Sequence, residues 1–348
     1  MVPVVDLSRR GQRFASAFAI TAKRIAASGS FLLGAELAAF ESEFKNWLGA
    51  QHCVGVSSGA GALQLALAAA GIGLGDEVLV PAFTAVPTAS AVAAVGAVPR
   101  AIDVDRNTAC ITTRSVESAR TERTKAVIVV HLYGYPAEIP ATDLIVIEDA
   151  AQAHGALQEP GRSAATAYSF YPTKNLGGIG DGGAVVTDDA DLADRVRTLR
   201  VHGMTALYVH EYVSQNFRMS ELEAAWLRLA LCELSADVDR RRAIVAQYRS
   251  AAPNLHWQQD HPRHAYHLAV FRSPDRAMTR AALEAGGINT AVHYPMAITQ
   301  QPAYEQLPHS ECPESEAWAK ECISLPCFPE MTTFEVDHVC SALAGLRV

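Results

Sequence analysis

Short apolar segments alternate with helical segments from about residue 36 to about residue 190, and this alternation constrains the fold most strongly. The apolar segments lie at 54–56, 78–80, 99–102, 126–130, 144–147, 168–170 and 184–187, bounded by turn-forming or charged residues. Strands of this composition are buried on both faces, which is typical of a parallel sheet with helices on each side. The sequence therefore predicts an α/β fold whose large domain holds a mostly parallel, seven-stranded sheet covered by helices.

The pattern changes after Ser220. A long, charge-striped helix is predicted from 221 to about 248, and it leads into a mixed region of helices and short strands. In that region we predict strands at 266–271 and 292–294 and helices at 278–285 and 335–346. We expect a large domain over residues 1–235 and a smaller C-terminal α+β domain over residues 236–348.

Composition and charge exclude several classes of function. The net charge is -8 and no basic cluster occurs, so we expect no nucleic-acid partner. The seven cysteines form no C-x-x-C pair and the twelve histidines no H-E-x-x-H motif, which argues against a metal site and for a reducing compartment. No export signal and no apolar stretch of roughly 20 residues is found, so we expect a cytoplasmic protein without a membrane partner.

Lys174 is the most informative residue for function. It ends an apolar segment, and a glycine-rich loop at 177–183 follows it. An amine in this position can hold a bulky cofactor as a Schiff base and shuttle protons, although a solvated loop lysine is the ordinary alternative. Asp149 ends the strand predicted at 144–147, where ligands bind in open α/β sheets, and its carboxylate can keep a pyridine nitrogen protonated. Together the two residues predict a site for pyridoxal 5'-phosphate.

Other residues are candidates for binding the phosphate and the ring hydroxyl of this cofactor. Ser58 and Gly59 open an alanine-rich helix, whose free N–H groups favour an anion such as the phosphate. Ser169 is a candidate for a further phosphate donor, and Gln152 for a hydrogen bond to the ring hydroxyl. An ordinary helix cap at Ser58 and an ordinary polar loop residue at Gln152 explain these positions about as well.

Two segments are similar to nucleotide-binding motifs, but the surrounding sequence fits neither motif. Residues 178–183 match G-x-G-x-x-G, the dinucleotide fingerprint, but no strand leads into them and 184–187 is predicted as a strand rather than a helix. The strand at 145–149 is similar to the magnesium-binding strand of nucleotide hydrolases. No G-x-x-x-x-G-K-S/T loop occurs in the chain, so that interpretation fails as well.

The ordered motifs of the chain resemble those of the DegT/DnrJ/EryC1/StrS sugar aminotransferases, which belong to fold type I of the pyridoxal phosphate enzymes. The resemblance covers nearly the whole chain. The matching segments are 31–34 (FLLG), 56–59 (VSSG), 75–78 (GDEV), 103–105 (DVD), 131–134 (HLYG), 148–156 (EDAAQAHGA), 169–176 (SFYPTKNL), 216–219 (NFRM) and 324–326 (SLP). The resemblance implies amino transfer from L-glutamate to a keto group of a nucleotide-linked sugar, with pyridoxamine 5'-phosphate as the intermediate cofactor form.

The resemblance also implies roles for single residues. Lys174 corresponds to the Schiff-base lysine and Asp149 to the partner of the pyridine nitrogen. The other residues expected at the cofactor are Ser58, Gly59, Ala60, Phe83, Gln152 and Ser169. Asn216 is expected to reach the phosphate in the neighbouring subunit, which implies a homodimer with active sites at the interface. Family members usually carry threonine at position 60, and many carry an aromatic residue at position 85, where this chain has alanine.

The substrate is predicted from a few further positions. His154, His293 and Tyr294 lie in contexts similar to those of members that act on 3-keto-6-deoxyhexoses, so we favour a dTDP-linked 3-ketosugar over a 4-keto sugar nucleotide. Packing between the two domains explains His293 and Tyr294 about as well. Tyr171 and Arg218 are further candidates for substrate contacts, and an intersubunit salt bridge is the alternative for Arg218.

Two competing functions share this fold. A sugar dehydratase is disfavoured because dehydratases of the family replace the lysine, commonly with histidine, and this chain keeps Lys174. A non-catalytic regulator that binds a sugar nucleotide is the alternative from a different class. The acidic composition and the lack of a helix-turn-helix signal argue against a DNA-binding regulator.

Overall fold

The structure is a computed structural model and describes residues 1–156 and 163–346. The helices are α1 (Leu7–Ser28), α2 (Ala35–Leu48), α3 (Gly59–Ala69), α4 (Val86–Ala94), α5 (Thr113–Ala119), α6 (Ala190–Arg200), α7 (Glu221–Ala251), α8 (Arg276–Ala285), α9 (Pro313–Glu321) and α10 (Thr333–Ala344). The strands are β1 (His52–Val56), β2 (Glu77–Pro81), β3 (Val98–Ile102), β4 (Thr124–Val130), β5 (Ile145–Asp149), β6 (Ala165–Ser169), β7 (Gly183–Thr187), β8 (Met204–Ala206), β9 (Val209–His210), β10 (His256–Trp257), β11 (Ala269–Arg272) and β12 (Cys322–Leu325).

The main sheet has seven strands in the order β1-β7-β6-β5-β4-β2-β3. Strand β7 is antiparallel to both of its neighbours, and all other neighbouring pairs are parallel. This confirms the predicted fold class. Asp149, the last residue of β5, lies in register with Val130 of β4 and Ala167 of β6. The carboxyl ends of three parallel strands therefore meet beside Asp149, at the edge where open α/β sheets bind ligands.

Helices cover both faces of this sheet. Consecutive residues of a strand point to opposite faces, so each strand contributes side chains to two buried clusters. Ala167 and Val185 belong to the buried cluster that includes α3, whereas Tyr168 and Val186 belong to the cluster that includes α2 and α7. Both faces of the central strands are thus apolar, and Val78, Leu79 and Val80 of β2 are completely buried. The near-continuous apolar composition of the strands follows from this two-sided burial.

The C-terminal region contains the antiparallel sheet β10-β11-β12 with helices α8 and α10. Its core is shared with the second half of α7, so the predicted domain boundary at residues 235 and 236 lies within one continuous helix. That boundary stays a prediction. The prediction of a strand at 292–294 is wrong, because backbone pairing with β12 is limited to a single bridge between Ala291 and Ser324. Within the described residues, no helix is long and apolar enough to cross a membrane.

Candidate active site

A pocket lies at the carboxyl edge of the main sheet, between the start of α3 and the ends of β4, β5 and β6. Its free space, open solvent included, is about 500 Å³. The lining residues are Gly59, Ala60, Leu63, Thr84, Ala85, Pro87, Val130, Leu132, Asp149, Ala151, Gln152, Ser169 and Lys174. Most residues that the sequence predicted for the cofactor are therefore brought together in one pocket, from segments far apart in the chain.

Asp149 is the buried acid of this pocket, with 6% of its surface exposed. Oδ2 accepts a hydrogen bond from Thr88 Oγ1 at 3.0 Å, and Oδ1 accepts one from the Ala151 backbone N–H at 3.1 Å. Burial raises the pKa of Asp149, while these hydrogen bonds and the charge of Lys174 oppose the increase. Among the described residues, no arginine or lysine forms a salt bridge with this carboxylate, so a cationic ligand would stabilise its ionised form.

Lys174 lies at the end of a tight turn after β6, in which its backbone N–H donates to the Tyr171 carbonyl at 2.8 Å. Burial lowers the pKa of the Lys174 amine to about 8, and the nearby Asp149 carboxylate partly opposes the decrease. An amine with this pKa is neutral in an appreciable fraction of molecules near pH 7. The neutral form is the one that attacks an aldehyde.

The start of α3 forms the opposite end of the pocket. The Ser58 hydroxyl accepts a hydrogen bond from the Gly61 N–H at 3.0 Å and so caps the helix. Ser58 therefore has the ordinary helix-cap role that was the alternative to phosphate binding. The N–H groups of Gly59 and Ala60 precede the first helical hydrogen bond, and both residues line the pocket. A Cβ atom on Gly59 would lie 2.5 Å from Ser169 Cβ, so only glycine allows α3 and the end of β6 to approach this closely.

Gln152 connects the pocket to the C-terminal region. Its Oε1 accepts from the Tyr133 backbone N–H at 2.6 Å, and its Nε2 donates to the Tyr294 hydroxyl at 2.8 Å. Tyr294 is therefore placed beside the pocket wall, whereas the His293 ring faces Ser324 at 2.9 Å. Phe83 is fully buried and packs edge-on against Tyr294, behind the wall that Thr84 and Ala85 form. Phe83 is not among the residues that line the pocket, and its contact with the cofactor stays a prediction.

His154 is not brought to the pocket. Its side chain is fully buried between the rings of Tyr168 and Phe170, at centroid distances of 5.3 and 5.7 Å. Neither ring nitrogen has a hydrogen-bond partner among the described residues, and burial lowers the pKa of the imidazole to about 3. A neutral, enclosed ring packs the interior, and this position does not support the substrate contact that we predicted for it.

Three other predicted residues lie outside the pocket wall of their own chain. Tyr171 precedes the Lys174 turn and is 52% exposed. The Asn216 side-chain oxygen accepts from Arg218 Nε at 3.0 Å, and both residues follow the surface hairpin of β8 and β9. Contacts of these residues with a substrate or a neighbouring subunit stay predictions.

The glycine-rich loop has a structural cause that sequence reasoning missed. Glu223 of α7 packs under the loop, and its Oε2 accepts from the Ile179 backbone N–H at 3.2 Å. A Cβ atom on Gly178 would lie 1.4 Å from Glu223 Oε1, so a side chain at this position would displace the carboxylate. Burial raises the pKa of Glu223 to about 7. Packing on α7 therefore requires glycine at position 178, whereas a Cβ atom on Gly183 would lie 2.3 Å from the Ser58 carbonyl oxygen.

Sequence reasoning also missed the support around Asp149. Thr88 lies on α4, 61 positions before Asp149, and no local signal connects the two residues. His131 at the end of β4 bonds through Nε2 to Glu148 at 2.8 Å. The Ala137 N–H donates to His131 Nδ1, so Nε2 carries the proton and donates to the carboxylate. This buried pair ties the ends of β4 and β5 together next to Asp149.

Comparison with known proteins agrees with this geometry. The sequence model of the DegT/DnrJ/EryC1/StrS aminotransferase family matches residues 14–344. The chain belongs to this family. It is 40% identical over 360 residues to the dTDP-3-amino-3,4,6-trideoxy-alpha-D-glucose transaminase of Streptomyces venezuelae, covering 98% of this chain and 95% of that protein. It is 39% identical over 358 residues to the dTDP-3-amino-3,6-dideoxy-alpha-D-galactopyranose transaminase of Aneurinibacillus thermoaerophilus, covering 99% of both.

A solved structure of the family has the same fold. The structure of DesV of S. venezuelae, described in complex with a ketimine intermediate, matches with a TM-score of 0.93 and 38% identity. The match covers 99% of this chain and 97% of that chain. This chain is therefore a sugar aminotransferase of the pyridoxal phosphate-dependent class. This confirms the predicted family and enzyme class.

Proposed function

We propose that this aminotransferase moves the amino group of L-glutamate to the 3-keto group of a dTDP-linked 6-deoxyhexose, using pyridoxal 5'-phosphate held on Lys174. The observation that carries the proposal is the pocket, in which a buried amine, a buried carboxylate and a helix N-terminus converge. Support for the sugar comes from two relatives near 40% identity whose names specify dTDP-3-amino sugars. A non-catalytic regulator has no need for a buried amine with a lowered pKa.

The residues of the pocket match the parts of the cofactor. Lys174 would hold the aldehyde, Asp149 the ring nitrogen and Gln152 the ring hydroxyl. The phosphate would be held by the N–H groups of Gly59 and Ala60, at the positive end of α3. When bound, the cofactor supplies an aldehyde that accepts amines and an electron-poor ring that stabilises negative charge at the substrate carbon.

The protein side chains supply proton transfer and orientation. The Lys174 amine would act as the base that takes a proton from the substrate carbon, because its pKa of about 8 lies close to neutral pH. Thr88 and the Ala151 N–H hold the Asp149 carboxylate in one orientation. Ala85 lines the pocket at the position where the family resemblance implies an aromatic residue in many members, so the ring face on that side would be covered less tightly or by another residue.

The position of the keto group is tested by product analysis. The enzyme is incubated with L-glutamate and either a dTDP-3-keto-6-deoxyhexose or a dTDP-4-keto-6-deoxyhexose, and the products are identified by mass spectrometry and NMR. We expect amine formation at carbon 3, with 2-oxoglutarate released in equal amount. Amine formation at carbon 4 alone would support the 4-ketosugar alternative. Cofactor binding without amine on any sugar would support the regulator.

The proposal includes a homodimer in which Asn216 of each subunit completes the neighbouring site. Large apolar side chains on and after the β8–β9 hairpin are exposed to solvent in the single chain, among them Leu207 at 77% and Tyr208 at 84%. Exposed apolar groups that cluster in this way are typical of an interface. Asn216 and Arg218 follow this hairpin directly and do not line the pocket of their own chain.

Subunit complementation tests the shared site. Lys174→Ala and Asn216→Ala chains are each expected to have low activity, and co-expression is expected to restore about a quarter of the wild-type activity. Half of the random dimers are mixed, and each mixed dimer has one site with both wild-type residues. The separately purified variants, mixed without subunit exchange, are the control. If Asn216 acts within its own chain, co-expression will restore nothing.

A further inference from the structure

Arg10 of α1 crosses the back of the Lys174 turn. Its guanidinium Nη1 donates to the Pro172 carbonyl at 3.0 Å and to the Lys174 carbonyl at 3.1 Å. A Cβ atom on Gly177 would lie 2.3 Å from this nitrogen, so the guanidinium fits only because residue 177 is glycine. Arg10 is 5% exposed. One buried side chain therefore holds the carbonyls at both ends of the segment that leads to the active-site lysine.

Other groups fix the chain after the lysine. Asn175 Nδ2 donates to the Ala265 carbonyl at 2.9 Å, and Trp226 Nε1 donates to the Gly177 carbonyl at 3.0 Å. Neither of them contacts the backbone of Lys174. Among the described residues, Arg10 is the side chain that binds the carbonyl of Lys174. The conformation at the lysine itself thus depends on a residue from the N-terminal helix, 164 positions away.

The positively charged guanidinium of Arg10 interacts directly with these two carbonyl oxygens. Burial lowers the pKa of Arg10 to about 10, so it stays charged at neutral pH, and no carboxylate in the described chain lies within salt-bridge distance. A charged donor bonds a carbonyl about twice as strongly as a neutral one. Burying an unpaired guanidinium is costly, so this arrangement is better explained by a requirement for turn geometry than by a gain in stability.

We propose that Arg10 is a positioning residue that keeps the Lys174 turn closed and its amine directed into the pocket. The inference rests on the proposed role of Lys174. Burial is the largest cause of the lowered pKa of the amine of the half-buried Lys174, and Arg10 of α1 is bonded to the turn that carries it. When the two carbonyls lose their donor, water can bond to them, the turn opens and the amine becomes hydrated.

The groups that face the Lys174 amine make its titration simple to interpret. Asp149 on β5 is the acid beside it. The neighbouring imidazoles of His154, His267 and His293 all have pKa values lowered by burial, and the charge of Lys174 lowers them further. These rings are therefore neutral above pH 7, where the amine titrates. A shift of its midpoint then reports on hydration of the amine, provided that the charge of Arg10 is kept, as it is in Arg10→Lys.

The test measures the Lys174 amine directly, in full-length protein without added cofactor. Reductive methylation is followed by peptide mass spectrometry from pH 6 to 11, and the midpoint of the rate profile gives the pKa of the amine. We expect Arg10→Gln to raise this midpoint by one unit or more, which reduces the neutral amine at pH 7 about tenfold. Arg10→Lys keeps the charge and one donor, so a smaller increase is expected.

Arg13→Gln is the matched control, because Arg13 lies one turn later on α1 and pairs with Asp237 at 2.8 Å instead. Its midpoint should equal that of the wild type. Circular dichroism verifies folding, and if Arg10→Gln is unfolded, the Arg10→Lys midpoint decides. An unchanged midpoint in the deciding variant would overturn the proposal. Borohydride trapping of the cofactor on wild-type Lys174 is measured separately, so a failure of the proposed function is recognised independently.

Discussion

Replacing Lys174 with alanine is expected to lower the turnover of amino transfer by at least about 10³-fold. The substitution removes the group that would hold the cofactor aldehyde and also the base that would move the substrate proton. Among the pocket-lining residues, no other side chain carries an amine. The loss should therefore appear in turnover with either sugar, and it should not be recovered by raising the substrate concentration.

Two measurements check this result. The rate of 2-oxoglutarate release gives the turnover, and borohydride reduction followed by peptide mass spectrometry shows whether the cofactor is attached at residue 174. Lys125→Ala is the matched control, since Lys125 is an exposed lysine on β4 and should behave like the wild type. A Lys174→Ala enzyme that kept more than about a tenth of the wild-type turnover would refute the assigned role.

Replacing Asp149 with asparagine is expected to lower the activity of the enzyme but to raise its stability. Turnover should fall by about 10²-fold or more, because an amide cannot hold a positive charge on the ring nitrogen. The free energy of unfolding of the cofactor-free protein should rise, because burial raises the pKa of Asp149 and the ionised carboxylate therefore destabilises the fold. Asparagine has a similar shape, but its single oxygen can replace only one of the two acceptors that serve Thr88 and the Ala151 N–H, which offsets part of this gain.

The sign of the pH dependence follows from the raised pKa. The cost of the ionised carboxylate is fully present above its folded pKa and disappears as the pH falls through that value. The stability gain of Asp149→Asn should thus be largest near pH 7 and smaller at pH 4, as measured by urea unfolding. Asp143→Asn is the control, because this carboxylate is exposed and pairs with Arg120 on the surface. A loss of stability at pH 7 in Asp149→Asn would contradict this explanation.

The residues that sequence analysis located are those with a local signal. Lys174 and Asp149 each follow a buried strand, and strand ends on a parallel sheet meet at one edge, so their convergence could be predicted. Thr88 and Arg10 reach the same site from helices 61 and 164 positions away, and only the three-dimensional packing reveals these contacts. His154 is the opposite case, because its sequence motif predicted a site residue and the structure does not place it in the pocket. It lies in a motif next to Asp149 and Gln152, but its side chain points into the core.

The order of the strands has a consequence for when the enzyme can capture its cofactor. Strand β1 lies at the edge of the sheet and pairs with β7, which is made about 130 residues later, and the helix that would bind the phosphate follows β1 directly. On the ribosome, this edge strand has no docking partner until the chain has been translated past Thr187. If the start of α3 holds the phosphate as proposed, we expect cofactor loading to follow the synthesis of both Lys174 and β7.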